Sequence, residues 1–200
     1  MEYQDKIVLI TGAGSGIGAA AAIAFAEQGA QVIVSDRNEA GGGATVAKIV
    51  NANGKAEFIA CDVSNYEAVV GLVEQIKAKY NRLDIAINNA GIPGTTARTH
   101  DYPVNDFEHV LKVNTSGVFY GMKAQIPLML AQGHGVIINT ASIAGLKGLP
   151  NAVAYSASKH AVVGMTKTAA MEYGKKNIRI NALCPVFTVT PLLILWPLKK

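Results

Sequence analysis

Short runs rich in β-branched residues alternate along this chain with longer, Ala-rich stretches whose apolar positions recur at helical spacing. The runs at 6–11, 31–36, 56–61, 84–88, 135–140 and 177–183 read as strands. The stretches at 17–28, 39–52, 65–80, 103–131 and 152–174 read as helices. Strands and helices taking turns predict βαβ units, hence an α/β fold with a parallel sheet covered by helices on both faces. Right-handed crossovers favour the doubly wound strand order 3-2-1-4-5-6. In that order a crevice opens between strands 1 and 4 at their C-terminal ends, so the loops after strands 1, 4 and 5 face one another. No repeat, low-complexity tract or linker interrupts the pattern, and one domain is expected over 1–185, followed by an apolar tail at 186–200.

The loop after strand 1 reads Thr11-Gly12-Ala13-Gly14-Ser15-Gly16-Ile17-Gly18 and leads straight into a helix. Glycines there permit a tight turn and close backbone approach to a diphosphate, whose charge a helix N-terminus stabilises. Glycine clusters also occur in plain turns. Here the preceding strand, the following helix and an acidic residue about 20 positions on agree with dinucleotide binding. That acidic residue is Asp36. A carboxylate at the end of strand 2 accepts bonds from ribose hydroxyls and repels a 2′-phosphate, which favours NAD over NADP. Its neighbour Arg37 works the other way, since a guanidinium suits phosphate. Asp62 and Val63 end strand 3, placed to reach the adenine. Asn88, Asn89, Ala90 and Gly91 end strand 4, and the two amides could hold either the loop or the cofactor.

Composition narrows the alternatives. Two hundred residues, half of them hydrophobic, with 20 glycines, suit one soluble domain with a sizeable core. The net charge of +4 is mild and its lysines are scattered, so neither nucleic acid nor an anionic membrane is called for as a partner. Cys61 and Cys184 read as buried free thiols, which fits a reducing compartment. The histidines at 100, 109, 134 and 160 lack metal-ligand spacing, so no metal is expected. The polar start shows no signal peptide, and the tail at 186–198 is too short and Pro-interrupted to span a bilayer. A cytoplasmic location is the expectation.

Candidate chemistry gathers at the same sheet edge. Strand 5 runs into Ser142, and Tyr155 and Lys159 lie four residues apart on the last helix, on one face of it. Such a pair is also common on surface helices. A phenol titrates near 10, and a neighbouring ammonium favours its phenolate; a shift of about three units requires about 4 kcal/mol. Asn114 sits inside the predicted helix 103–131, a disfavoured place unless its amide finds a partner. It could equally be a polar surface residue.

Taken together, the Thr-Gly-x-x-x-Gly-Ile-Gly loop, Asn-Asn-Ala-Gly, Ser142 and Tyr-x-x-x-Lys make the chain resemble the short-chain dehydrogenase/reductase family from about residue 6 to 185. The resemblance implies a metal-independent, NAD(P)-dependent oxidoreductase interconverting a secondary alcohol and a ketone. It implies Tyr155 as general acid/base and Ser142 as hydrogen-bond partner of the substrate oxygen. Lys159 would lower the phenol pKa and bind the nicotinamide ribose, and Asn114 would hold a relay water. Gly12, Ser15, Gly16, Ile17, Gly18, Asp36, Arg37, Asp62, Val63, Asn89, Ala90, Gly91, Tyr155, Lys159, Thr188 and Thr190 are the implied cofactor contacts. A homodimer through the helices after strands 4 and 5 is also implied.

The C-terminal part departs from that family. A seventh strand and a substrate-covering helical loop are expected to be missing, which would leave strand 6 as an edge that the apolar tail could cover. The family Pro-Gly reads Pro185-Val186, and a Val would be strained there if the site demands a positive φ. A second reading therefore stands beside the enzyme: a shortened module that binds NAD without robust turnover or pairs with a full-length relative.

Overall fold

The computed structural model describes residues 1–190. Six strands, β1 (Ile7–Thr11), β2 (Gln31–Asp36), β3 (Lys55–Ala60), β4 (Ile85–Asn88), β5 (Gly135–Thr140) and β6 (Ile178–Leu183), form one parallel sheet of order β3-β2-β1-β4-β5-β6. All five residues of β1 are buried, as a strand covered on both faces requires. Successive side chains of β1 serve opposite cores. Leu9 joins Leu72, Ile76, Leu83, Met129 and Ile137 on one face, whereas Val8 and Ile10 join Ala22, Val32, Val34 and Ile49 on the other.

The helices are α1 (Gly16–Glu27), α2 (Glu39–Asn51), α3 (Tyr66–Tyr80), α4 (Val104–Leu111), α5 (Gly117–Gln132) and α6 (Val153–Tyr173). Asn38 and Asn65 cap α2 and α3 by accepting the amides of Gly41 and Ala68 at 3.0 and 2.9 Å. Left-handed Asn81 and Gly133 close α3 and α5. A small third core, Tyr102, Val110 and Ala154 with Ile92, Ala97, Phe107 and Val153, joins the loop after β4 to α4 and the first turn of α6.

The single helix expected over 103–131 is divided. Between α4 and α5 the backbone makes a π-turn, Lys112–Ser116, and Asn114 lies inside it, fully buried. Its amide turns inward, donating to the carbonyl of Ile92 (2.9 Å) and to Ser158 Oγ (3.1 Å) and accepting the amide of Ile92 (2.8 Å). The surface alternative for Asn114 is thereby overturned. A widened turn of this kind accommodates an inward polar side chain at the cost of helix regularity.

Among the described residues β6 pairs with β5 alone. Val186 is not among the residues of positive φ, so the strain expected at Pro185-Val186 does not arise. The stretch 191–200, which holds most of the expected apolar tail, lies outside the described residues.

Candidate active site

Parallel strands deliver their C-terminal loops to one edge, and there a cleft of about 540 Å³ opens over β1, β4 and β5. At its foot the glycine turn folds back on itself with Gly12 at φ 64° and Gly16 at φ 55°. A Cβ on Gly12 would come within 2.7 Å of the Ala90 Cα, so only glycine lets the turn nest against the end of β4. Gly18 does not line the cleft. It packs beneath the turn, where a Cβ would meet the Gly12 carbonyl oxygen at 2.3 Å.

Unlike α2 and α3, α1 begins without a side-chain cap: Ser15 is extended and makes no cap bond. The first amides of α1 therefore stand at the cleft floor beside Ser15, Gly16 and Ile17, a setting suited to a diphosphate. Asp36 lies at the far end, its carboxylate accepting the amides of Gly14 and Asn38, each at 2.9 Å. Arg37, Asp62 and Val63 complete that end of the wall. Burial raises the Asp62 carboxyl, but the Ser64 amide and hydroxyl, with Arg37 and His109, outweigh it and hold the pKa below the ordinary range. The donor-rich turn, the ribose-side carboxylate and the cleft volume fit a dinucleotide.

Asn88 and Asn89 divide the two roles left open for them. Asn89 donates to the carbonyls of Thr11 and Gly12 at 3.0 and 3.2 Å, tying β4 to the glycine turn while also lining the cleft. Asn88 points into the core. It exchanges two hydrogen bonds with Gln125 (3.2 and 2.8 Å) and donates to Asn139 (2.9 Å), which in turn donates to Thr166.

Three or so strand spacings from Asp36, about 14 Å along the sheet, Ser142, Tyr155 and Lys159 meet in the same cleft. Ser142 Oγ accepts the Ala144 amide at 3.1 Å, fixing the hydroxyl at the end of β5. Ser142 is hydrogen-bonded to Tyr155, and this bond favours the phenolate, yet burial is the larger influence and pushes the Tyr155 pKa up. Lys159 lies buried with its ammonium 5.5 Å from the Tyr155 ring centroid, donating to the Thr140 carbonyl at 2.8 Å. The depression of the phenol expected from Lys159 is therefore not the governing influence here. Burial pulls Lys159 itself down to about 8, against an opposing influence of Cys184.

Thr188 and Thr190 line the cleft, as do Ala90 and Gly91. Asn114 is absent from the wall; it stands behind it, holding Ile92. Cys61 lines the cleft beside Asp62, and burial pushes its thiol up to about 11. Cys184 is half-buried rather than buried, because the chain leaves the sheet there. Sequence reasoning did not single out Pro185 or Phe187, which line the cleft and lie in a stretch that has no periodicity to read. Among the described residues no group of three His, Cys, Asp or Glu side chains could hold a metal ion, and no helix is long and apolar enough to cross a membrane.

Known proteins are similar to this chain in sequence and in fold. A family model described as short chain dehydrogenase matches residues 6–197. The 3beta-hydroxysteroid dehydrogenase of Mediterraneibacter gnavus is 46% identical over 190 residues, which cover 95% of this chain and 68% of that protein. Cyclohexanol dehydrogenase of Acinetobacter sp. is 43% identical over 192 residues, 96% of this chain and 76% of that protein. The crystal structure of NAD+-bound xylitol dehydrogenase superposes with a TM-score of 0.91 at 39% identity, covering 94% of this chain and 72% of that one.

Proposed function

Because the chain belongs to the short-chain dehydrogenase/reductase family, we propose that it interconverts an uncharged, alicyclic secondary alcohol and its ketone, with NAD as the hydride partner. The observation that carries this reading is the joining of Ser142, Tyr155 and Lys159 to the glycine turn in a single cleft. The dinucleotide, when bound, supplies the hydride chemistry, and the protein contributes positions, charges and a proton site. Ser142 Oγ orients the substrate oxygen. Tyr155 Oη takes the hydroxyl proton during oxidation and returns it during reduction. Lys159 places positive charge beneath the phenol ring, and its own bond to Thr140 keeps it there.

Wall chemistry supports the substrate class. Ile92, Pro93, Ile143, Leu149 and Phe187 line the same cleft as Ser142 and Tyr155, and none has a side chain that can pair with a phosphate or carboxylate. A compact apolar ring carrying one hydroxyl buries well against such a wall. The cyclohexanol and 3beta-hydroxysteroid dehydrogenases act, by name, on alcohols of this kind. Asp36 supports NAD over NADP, since a 2′-phosphate at that end would meet its carboxylate. Exposed Phe119 and Leu130 of α5 and Met171 of α6 support pairing of two copies through those helices.

Turnover with cyclohexanol and larger alicyclic alcohols, using NAD and NADP in parallel, tests the reading. Expected is NADH formation that exceeds NADPH formation by at least about tenfold, the effect of one unfavourable charge contact of ~1.4 kcal/mol. NADH binding with no turnover on any alicyclic alcohol would overturn it in favour of a binding module. An Asp36→Ala protein is expected to lose most of the discrimination.

A further inference from the structure

The loop between β4 and α4, residues 92–103, is long, contains two prolines and forms no strand or α-helix, yet it is held at three places. Asn114 clasps both the amide and the carbonyl of Ile92 at its start. At its middle, Ala97 makes an isolated parallel bridge with Ala152, its amide donating to the Asn151 carbonyl at 3.1 Å. Between these, the Thr95 amide and the Tyr102 hydroxyl both donate to one oxygen of Asp106, Oδ2, at 2.6 and 2.9 Å. Asp106 stands in the first turn of α4, where a carboxylate also suits the helix dipole.

The latch is closely packed. Gly94 takes φ 73°, and a Cβ there would come within 2.5 Å of the Tyr102 hydroxyl and 2.6 Å of Val110 Cγ2. Tyr102 is buried in the third core against Val110 and Ala154. Ala154 immediately precedes Tyr155, and Ala152, the residue before α6, offers no side-chain cap. The bridge from Ala97 and the third core therefore stand where a cap would otherwise fix the first turn of α6. Ile92 and Pro93, at the start of the same loop, line the cleft beside the reacting groups.

We propose that Asp106 is a positioning residue for the substrate. By gathering the Thr95 amide and the Tyr102 hydroxyl on one oxygen, it holds the 92–103 loop as a preset wall of the substrate subsite and couples that wall to the first turn of α6. Its role in turnover rests on the alcohol–ketone reading above; its role as a latch does not. Asp106 is not a catalytic residue, because it acts through Tyr102, Thr95 and Ile92 rather than on the reacting atoms.

The geometry separates acceptor from charge. The Thr95 amide and the Tyr102 hydroxyl converge on a single oxygen, and the Thr95 side chain also bonds the carboxylate, so Asp106→Asn retains the needed acceptor and Asp106→Leu does not. Hydrogen exchange of the whole protein reads the latch without any substrate. In Asp106→Leu, amides at 94–98 and at 149–153 are expected to exchange at least about tenfold faster, while those at 12–18 are unchanged. Asp106→Asn is expected to stay within about threefold of the parent. In turnover, Asp106→Leu should raise KM for cyclohexanol about fivefold or more, with kcat and the NADH Kd changed less than about twofold. A larger alicyclic alcohol should lose less, so the ratio of kcat/KM between the two alcohols falls. Tyr102→Phe removes one donor and should give a weaker effect in the same direction.

Faster exchange at 94–98 without any change at 149–153 would overturn the coupling. Equal behaviour of the Asn and Leu proteins would overturn the acceptor role. A unchanged ratio between the two alcohols, whatever the melting temperature does, would reduce Asp106 to a purely structural residue. Should the parent protein turn over no alcohol, the exchange result alone still decides whether the latch exists.

Discussion

Lys159 serves two opposing demands at one atom. The proposed role needs its ammonium beneath the Tyr155 ring, and the same placement removes it from water. Burial pulls its pKa down to about 8, with Cys184 opposing. An unfolded lysine titrates near 10.4, so between about 8 and 10.4 the unfolded chain binds more protons and stability rises with pH across that window. Below about 8 the cost of charging the buried group is fully present. Lys159→Met is therefore expected to abolish turnover while raising stability at neutral pH by about 2 kcal/mol, allowing for the lost bond to Thr140. Urea unfolding of both proteins checks this, and the gain should shrink as pH approaches about 10. A gain that grew with pH would contradict the assignment. The four-residue spacing of Tyr155 and Lys159 made their common helix face legible in the sequence. Their pKa relation was not, because burial depends on the whole cleft. Asp106 lies in the first turn of α4, where no period shows that its partners are Thr95 and Tyr102.

At the scale of elements, the strands were readable because a parallel sheet buried on both faces needs continuous apolar runs. The bounds expected for β2 and β5 match the structure, and the other strands differ by about one residue, within ordinary end fraying. The stretch 103–131 was not readable as three pieces. Apolar periodicity carries through the π-turn, and only the distant partners Ile92 and Ser158 explain why Asn114 turns inward. A second inward amide, Gln125 of α5, is fully buried and exchanges two bonds with Asn88 of β4. Gln125→Leu keeps the apolar volume but leaves the Asn88 Oδ1 unpaired in the core. The expected loss is about 1–3 kcal/mol, seen as a lower urea midpoint at unchanged slope. Stability within a few tenths of a kcal/mol of the parent would show that the amide pair contributes little.

Across the whole molecule, the cleft and a charged clasp occupy opposite edges of the sheet. Asp84, just before β4, is nearly fully buried. It accepts the Ile7 amide at 2.9 Å, the Arg82 guanidinium and His134 Nε2 at 3.1 Å, with Lys6 at 3.5 Å. It thus joins the starts of β1 and β4 to the segment before β5. Burial raises the Asp84 carboxyl, but Arg82, the Ile7 amide and His134 together outweigh it and hold the pKa below the ordinary range. A depressed carboxylate contributes stability that is complete above about 3.9 and lost as pH falls through the folded value. Asp84→Asn should be less stable at neutral pH by about 2 kcal/mol and should show a flatter acid limb than the parent. Parallel acid limbs in the two proteins would remove Asp84 from that role. The strand order was legible from handedness rules alone, whereas this clasp was not, since its members are scattered along the chain from residue 6 to 134.

The central claim is that Tyr155 moves a proton for a hydride transfer whose cofactor rests on the glycine turn. Comparing Tyr155→Phe with the parent, by NADH fluorescence titration and by alcohol-dependent NADH formation on the same preparations, tests it most directly. The account predicts a dinucleotide Kd within about threefold and a fall in kcat of about 10²–10⁴, the span of general acid–base catalysis. Comparable turnover in the two proteins would contradict it.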